Sequence, residues 1–228
     1  LCKKAFYGEI PFKALHIDTE TEFDEVYQFR DKFAKKWKLD LLVAKTAGKF
    51  EENTCTPRKT EILKQAIEKY KFDAVIVGIR RDEHAIRSME RYFSPRDKEF
   101  RWNVTKDEDN EVGIGSAQDA EFSEWGIYAT EFKDANHVRI HPLLHWSEQD
   151  IWQHIKQEKI PIVSLYLAKN GKRFRSIGCK CCSVSVESNA DTLSKIIKEI
   201  NEDKDSERKG RDTEKEYNMQ KLRSLGYL

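Results

Sequence analysis

The chain has 228 residues, enough for one sizeable domain or a domain with an appendage, and 36% of them are charged. Its 41 basic and 40 acidic residues leave a formal charge of +1, which argues against a general nucleic-acid coat or a membrane-surface binder. No apolar run approaches the roughly 18 residues of a membrane span, and no secretory h-region opens the sequence, so a cytoplasmic location is expected.

In chain order, the opening LCKKAF reads as the inside of a helix and begins with Leu1 rather than Met, so a missing natural N-terminus is expected. ALHIDT (14–19) is an apolar run turning polar at Asp18, the pattern of a buried strand ending at a loop. Phe23, Val26, Tyr27, Phe33, Ala34 and Trp37 follow helical spacing, and LDLLVAK (39–45) predicts the next strand. Leu63, Ala66, Ile67 and Tyr70 mark a second helix, DAVIVG (73–78) a third strand, and HVRIHPLL (137–144) begins as a fourth. The stretch 95–136 is polar and reads as a long excursion from the core. Ser147-x-x-Asp150 predicts a helix start, and further helices are expected at about 190–202 and 214–225. Strands alternating with helices imply an α/β fold with a mostly parallel sheet, helices on both faces and a C-terminal helical tail. Ligands in such sheets sit at the carboxyl ends of the strands.

Two polar clusters fall at such ends: His16-Ile17-Asp18-Thr19 and Gly78-Ile79-Arg80-Arg81-Asp82-Glu83. Gly78 lets the backbone approach a ligand. The guanidinium forks of Arg80 and Arg81 suit a phosphate or sulfate. Asp82 and Glu83 are expected in the first turn of a following helix. The competing reading is a solvated face, with Glu83 paired to Arg87 at i,i+4 and Arg87 and Arg91 facing water. Position at a strand end favours a ligand role for Arg80 and Arg81 more than for Arg91.

Five cysteines, an odd number, do not read as a disulfide framework. Cys179, Cys181 and Cys182 fall within four residues, and Cys55 would have to be a distant fourth ligand, so buried or incidental thiols stand against a metal or redox role. SERKGRD (206–212) is either a solvated loop or a basic strap closing over an anion. The histidines show no metal-ligand spacing, and no Walker, dinucleotide or nucleophile-elbow motif occurs. The residues alone point to an α/β protein that binds a phosphate-like anion.

LHIDTETEF, GIRRDEHAIRSMER, HPLLHWSEQDIWQHI and VESNADTLSKIIKEI, with SERKGR and KLRSLGYL behind them, resemble one family over essentially the whole chain. It is the small catalytic subunit of sulfate adenylyltransferase, subunit 2 of bacterial ATP sulfurylase. That family belongs to the PP-loop adenylyltransferases, alongside the adenylyl-sulfate and phosphoadenylyl-sulfate (PAPS) reductases. The resemblance implies an adenine nucleotide alpha hydrolase-like fold and attack of sulfate on the α-phosphorus of ATP, with Mg²⁺ and without a covalent protein intermediate. It also implies a larger GTPase subunit as partner, no membrane and no nucleic acid. Arg80, Arg81, Asp82 and Arg87 would be catalytic, and Asp18, Thr19, Gly78, Arg208 and Arg211 would bind the nucleotide. A nucleotide-binding α/β domain would span 1–178, and a helical segment with the basic strap 179–228.

Two departures accompany the resemblance. The family's Ser-Gly-Gly-x-Asp-Ser loop would lie just before Leu1, so these 228 residues by themselves are expected to be inactive. The family also carries Gly after its Asp-Thr pair, where this chain has Glu20. Two alternatives stay open. One is a PP-loop ATP pyrophosphatase of DNA or tRNA thiolation, which an iron–sulfur cluster at Cys179, Cys181 and Cys182 would favour. The other is a reductase, although its C-terminal Glu-Cys-Gly-x-His nucleophile motif is missing.

Overall fold

The computed structural model describes residues 1–45, 55–83, 87–88, 90–101, 132, 135–202 and 207. After a short helix α1 (Cys2–Ala5), strand β1 (Ala14–Ile17) leads into helix α2 (Asp24–Trp37) and strand β2 (Leu41–Ala44). β1 and β2 pair in parallel from Ala14↔Leu41 to Ile17↔Ala44, so α2 is the crossover of a βαβ unit. Acids at Asp24 and Glu25 open α2 and Lys35 and Lys36 close it, each complementing the helix dipole. Lys38 ends the helix at φ 53°, and the amides around that cap return to the carbonyls of Ala34 and Lys35. Phe29, Phe33 and Trp37 stack along one face at 4.4 and 5.1 Å between ring centres, as i,i+4 spacing requires.

Helix α3 (Cys55–Tyr70) buries Ile62, Ala66 and Ile67, again one helical face. Strand β3 (Ala74–Ile76) pairs in parallel with β5 (His137–Ile140), and β4 (Phe93–Arg96) runs antiparallel on the far side of β5. The parallel pairs expected from the sequence are present, but among the described residues they belong to two separate sheets, β1-β2 and β3-β5-β4. β4 straddles residue 95, where the sequence reads as the start of an excursion. Its Pro95 lacks an amide for a ladder, and the edge of a sheet is where a strand tolerates that loss.

Helix α4 (Glu148–Gln157) starts on a full capping box. The Asp150 amide donates to Ser147 Oγ at 3.1 Å, and the Ser147 amide donates to Asp150 Oδ2 at 2.8 Å. Ser147→Ala is therefore expected to cost about 1 kcal/mol, read as a lower midpoint in urea unfolding. Strands β6 (Lys172–Phe174) and β7 (Ser185–Glu187) form an antiparallel pair before helix α5 (Leu193–Glu202). Residues 178 and 179, where the sequence suggests a boundary, lie in the connection of that hairpin. Trp152 of α4 packs with Ala190 and Ile196, flanked by Ile155, Tyr166, Leu193 and Ile200. Among the described residues no helix is long and apolar enough to cross a membrane. The helix expected at 214–225 lies outside them.

Candidate active site

The end of β1 is built around a buried carboxylate. Asp18 Oδ1 accepts from the Glu20 amide at 2.8 Å and from the Tyr27 hydroxyl at 2.8 Å, while Lys45 Nζ stands 3.4 Å from Oδ2. Burial opposes ionisation of Asp18, but these donors outweigh it and hold its carboxyl below the usual range. Burial and the same Asp18 contact push the Tyr27 phenol up to about 12. Thr19 is fully buried, with its hydroxyl 2.9 Å from that of Thr21. Glu20 sits at φ 61°, in the left-handed region where glycine is the least strained residue. The turn has a backbone shape that glycine favours, and the Glu20 side chain reaches Lys45 at 2.9 Å.

Gly78 is exposed beyond β3, and a Cβ there would meet Leu143 Cδ1 at 3.6 Å, an ordinary contact. Residues Arg81–Glu83 form a single 3-10 turn. Asp82 and Glu83 sit in that turn, and residues 84–86, which would continue it, lie outside the described residues. Asp82 caps a different helix: its Oδ2 accepts the Glu148 amide of α4 at 2.7 Å, and its Oδ1 accepts from Arg80 Nε at 2.9 Å. An aspartate expected to serve catalysis holds two elements together.

The two neighbouring arginines have opposite surroundings. Arg80 is 7% exposed and lies among three carboxylates: Asp82, Glu83 at 3.6 Å and Glu207 at 2.6 Å. Arg81 pairs with no acidic side chain among the described residues. It is positioned by neutral groups, donating to the Glu90 carbonyl at 2.9 Å and to His145 Nε2 at 3.0 Å. Its Nε is buried with no hydrogen-bond partner among the described residues. Because Arg81 can only donate, His145 Nε2 accepts and His145 Nδ1–H faces the Tyr92 hydroxyl. His145 and Tyr92 escaped the sequence reading, since His145 reaches Arg81 across 64 residues and Tyr92 meets it only through His145. Glu90 lies in the same block as Arg81 but acts through its backbone carbonyl, which no residue type signals. Arg87 pairs with Glu83, as i,i+4 spacing suggests, but is 8% exposed and does not face water.

Between the two sheets lies a cleft of about 200 Å³. Ile17, Leu63, Val77 and Ile79 give it an apolar wall, and Lys59, Arg87 and Arg139 bring positive charge, with Thr60 and His141 between. Arg87 lines this cleft, and Arg80, Arg81 and Asp82 follow directly on Ile79. An apolar slot rimmed by cations suits a planar base carrying an anionic tail. His141 Nδ1 donates to the Arg91 carbonyl at 2.7 Å, leaving Nε2 as the acceptor of the neutral ring. Behind the cleft, Arg96, Glu90 and Ser94 form a buried network, with Ser94 Oγ 3.0 Å from Glu90 and 2.7 Å from Arg96.

His137 lies opposite Arg96 in the β4–β5 ladder at 1% exposure. Burial, with Arg139 and Arg96 nearby, lowers it from 6.5 to about 4. The unfolded chain takes up this proton first, so stability is full above pH 6.5 and falls as the pH drops towards 4. The loss over that window is on the order of 3 kcal/mol. His137→Phe is expected to flatten the stability profile there, as urea midpoints measured at stepped pH will report.

Arg208 and Arg211 lie outside the described residues, as does the Cys55 side chain. Cys179, Cys181 and Cys182 come together in the β6–β7 connection.

A family profile described as the phosphoadenosine phosphosulfate reductase domain matches residues 1–185. Sulfate adenylyltransferase subunit 2 of Psychromonas ingrahamii is 37% identical over 270 aligned residues, covering all of this chain and 85% of the relative. The Bacteroides fragilis protein of the same name is 35% identical with the same coverage. The chain belongs to the sulfate adenylyltransferase subunit 2 family. Its fold is shared with Candida glabrata FMN adenylyltransferase, solved with FAD and inorganic pyrophosphate. That match has a TM-score of 0.51 at 16% identity, over 96% of this chain and 64% of that one. Members of the subunit 2 family are nucleotidyltransferases by name, and the Arg80–Glu83 turn and Asp18 loop lie at strand ends, where this fold class binds ligands.

Proposed function

We propose that this chain transfers the adenylyl group of ATP to sulfate, as the smaller subunit of a two-subunit sulfate adenylyltransferase. The observation that carries this is similarity to subunit 2 proteins along the entire chain. In the reaction a sulfate oxygen forms a bond to the α-phosphorus, the bond from that phosphorus to the bridging oxygen breaks, and pyrophosphate leaves. Sulfate is fully ionised near neutral pH, so no general base is needed. Catalysis then rests on positioning and on charge stabilisation.

The adenine occupies the apolar side of the cleft, by Ile17, Leu63, Val77 and Ile79, and Gly78 lets the backbone run close to it. Arg81 has no carboxylate partner among the described residues, so its charge is left for the oxyanions that crowd together in the transition state. The Glu90 carbonyl and His145 hold Arg81, Arg80 and Asp82 brace the turn that carries it, and Arg87 adds charge at the cleft wall. Mg²⁺ enters with ATP as part of the substrate, held mainly by phosphate oxygens. The ionised Asp18 and the buried Thr19 shape the loop that faces those phosphates. Arg208 and Arg211 follow Glu207, the residue bound to Arg80, and act as a basic strap over the anion.

Because the phosphate–sulfate anhydride is uphill, the larger partner is a GTPase that drives the reaction, and the pair works in the cytoplasm. The test is pyrophosphate release by the natural protein assembled with its larger subunit. Release that requires both ATP and sulfate is expected. No release, or release indifferent to sulfate, with both subunits folded, overturns the proposal.

A further inference from the structure

The β6–β7 connection brings three sulfurs into one cluster. Cys179 Sγ is 3.1 Å from Cys181 Sγ, Cys181 Sγ is 3.6 Å from Cys182 Sγ, and all three lie within 4.8 Å of one another. A zinc ion about 2.3 Å from each sulfur at tetrahedral angles would set them ~3.8 Å apart. The cluster reaches that geometry with sulfur movements below about 1 Å.

The surrounding backbone holds the cluster in place. The Gly178 amide donates to Ser183 Oγ at 2.8 Å, and Ser183 Oγ donates to the Cys179 carbonyl at 2.9 Å. The amides of Cys182 and Ser183 also return to that carbonyl, at 3.2 and 3.1 Å. From outside, the Lys180 amide donates to the Thr21 carbonyl at 2.7 Å, and Cys179 pairs with Glu22 in an isolated antiparallel bridge. Cys179 is buried and Cys181 exposed, so the cluster has a closed inner side and an open outer side. Lys180 Nζ is committed to Asp24 at 3.0 Å. Three thiolates this close repel one another unless a dication joins them. Soft sulfur donors select thiophilic ions, zinc among them.

We propose that Cys179, Cys181 and Cys182 bind one zinc ion as three thiolates, with the outward position left to water. Binding breaks three S–H bonds, forms three Zn–S bonds and passes the protons to solvent, with no change of oxidation state. The ion staples the 178–183 loop, and with it the Thr21–Glu22 turn that follows Asp18 and Thr19. This site does not depend on which reaction the chain catalyses.

The experiment uses the whole natural protein, reduced, stripped with a chelator and titrated with Co²⁺ and then Zn²⁺. Expected are one cobalt per chain, thiolate-to-cobalt charge-transfer absorption with tetrahedral visible bands, and displacement by one equivalent of zinc with release of protons. Cys181→Ser, at the exposed position, is expected to weaken zinc binding by more than about a hundred-fold, beyond the effect of outer contacts. Cys2→Ser, in α1, is expected to leave it unchanged. Mass-spectrometric alkylation gives a readout independent of any variant: zinc should shield these three thiols and not Cys2. Missing cobalt bands, equal alkylation with and without zinc, or unchanged affinity in Cys181→Ser would each overturn the site. Stoichiometric iron and sulfide in anaerobically isolated protein would replace zinc by a cluster and overturn it as well.

Discussion

Arg81→Ala is expected to lower ATP- and sulfate-dependent pyrophosphate release by about 100- to 1000-fold, the range seen when one preorganised charge-stabilising donor is removed. The fold should survive, because Arg81 contributes two hydrogen bonds to neutral partners, the Glu90 carbonyl and His145, together worth roughly 1–3 kcal/mol. Arg81→Lys should recover little, since an ammonium keeps the charge but not the fork. Steady-state rates with saturating ATP and sulfate, beside thermal unfolding of the same preparations, will check both halves. Wild-type rates from Arg81→Ala would assign the turn to structure alone.

Its neighbour should behave in the opposite way. Arg80→Ala removes the cation shared by Asp82, Glu83 and Glu207. Glu83 keeps Arg87 and Asp82 is partly exposed, so the charge stranded is mainly that of Glu207, at a cost of about 1.5–3 kcal/mol. The loss should appear in urea unfolding, with a lower midpoint and an unchanged slope. Adding Glu207→Gln to Arg80→Ala should restore part of it, because the stranded charge goes too. A single-variant loss within 0.5 kcal/mol, the range of ordinary surface changes, would remove the buried-pair argument.

The contrast between Arg80 and Arg81 marks how far the sequence could be read. The strand end that carries both was legible, as were β1, α2 and the Ser147-x-x-Asp150 cap, because each is written in local periodicity or capping chemistry. Which arginine lacks a carboxylate partner among the described residues was not legible. That is decided by Glu207, 127 residues from Arg80, and by His145, 64 residues from Arg81. Asp82 had its capping role hidden for the same reason, its partner amide lying 66 residues on. Strand β4 was not legible because its second half runs into the polar 95–136 stretch, and Pro95 suits a strand only at an edge, which local sequence does not reveal. Glu20 stands where the family carries glycine, and its φ of 61° is a left-handed conformation that glycine adopts with least strain.

The Arg80–Glu207 pair also has a meaning during synthesis. A ribosome adding about 5–20 residues per second needs on the order of 6–25 s to travel from Arg80 to Glu207. Over that interval Arg80 has Asp82 and Glu83 beside it, and its third carboxylate does not yet exist. The nascent turn is born one charge short and is completed only once Glu207 has been made. A transcript cut just before Glu207 would yield a protein with every strand described here and a turn that never receives its final partner.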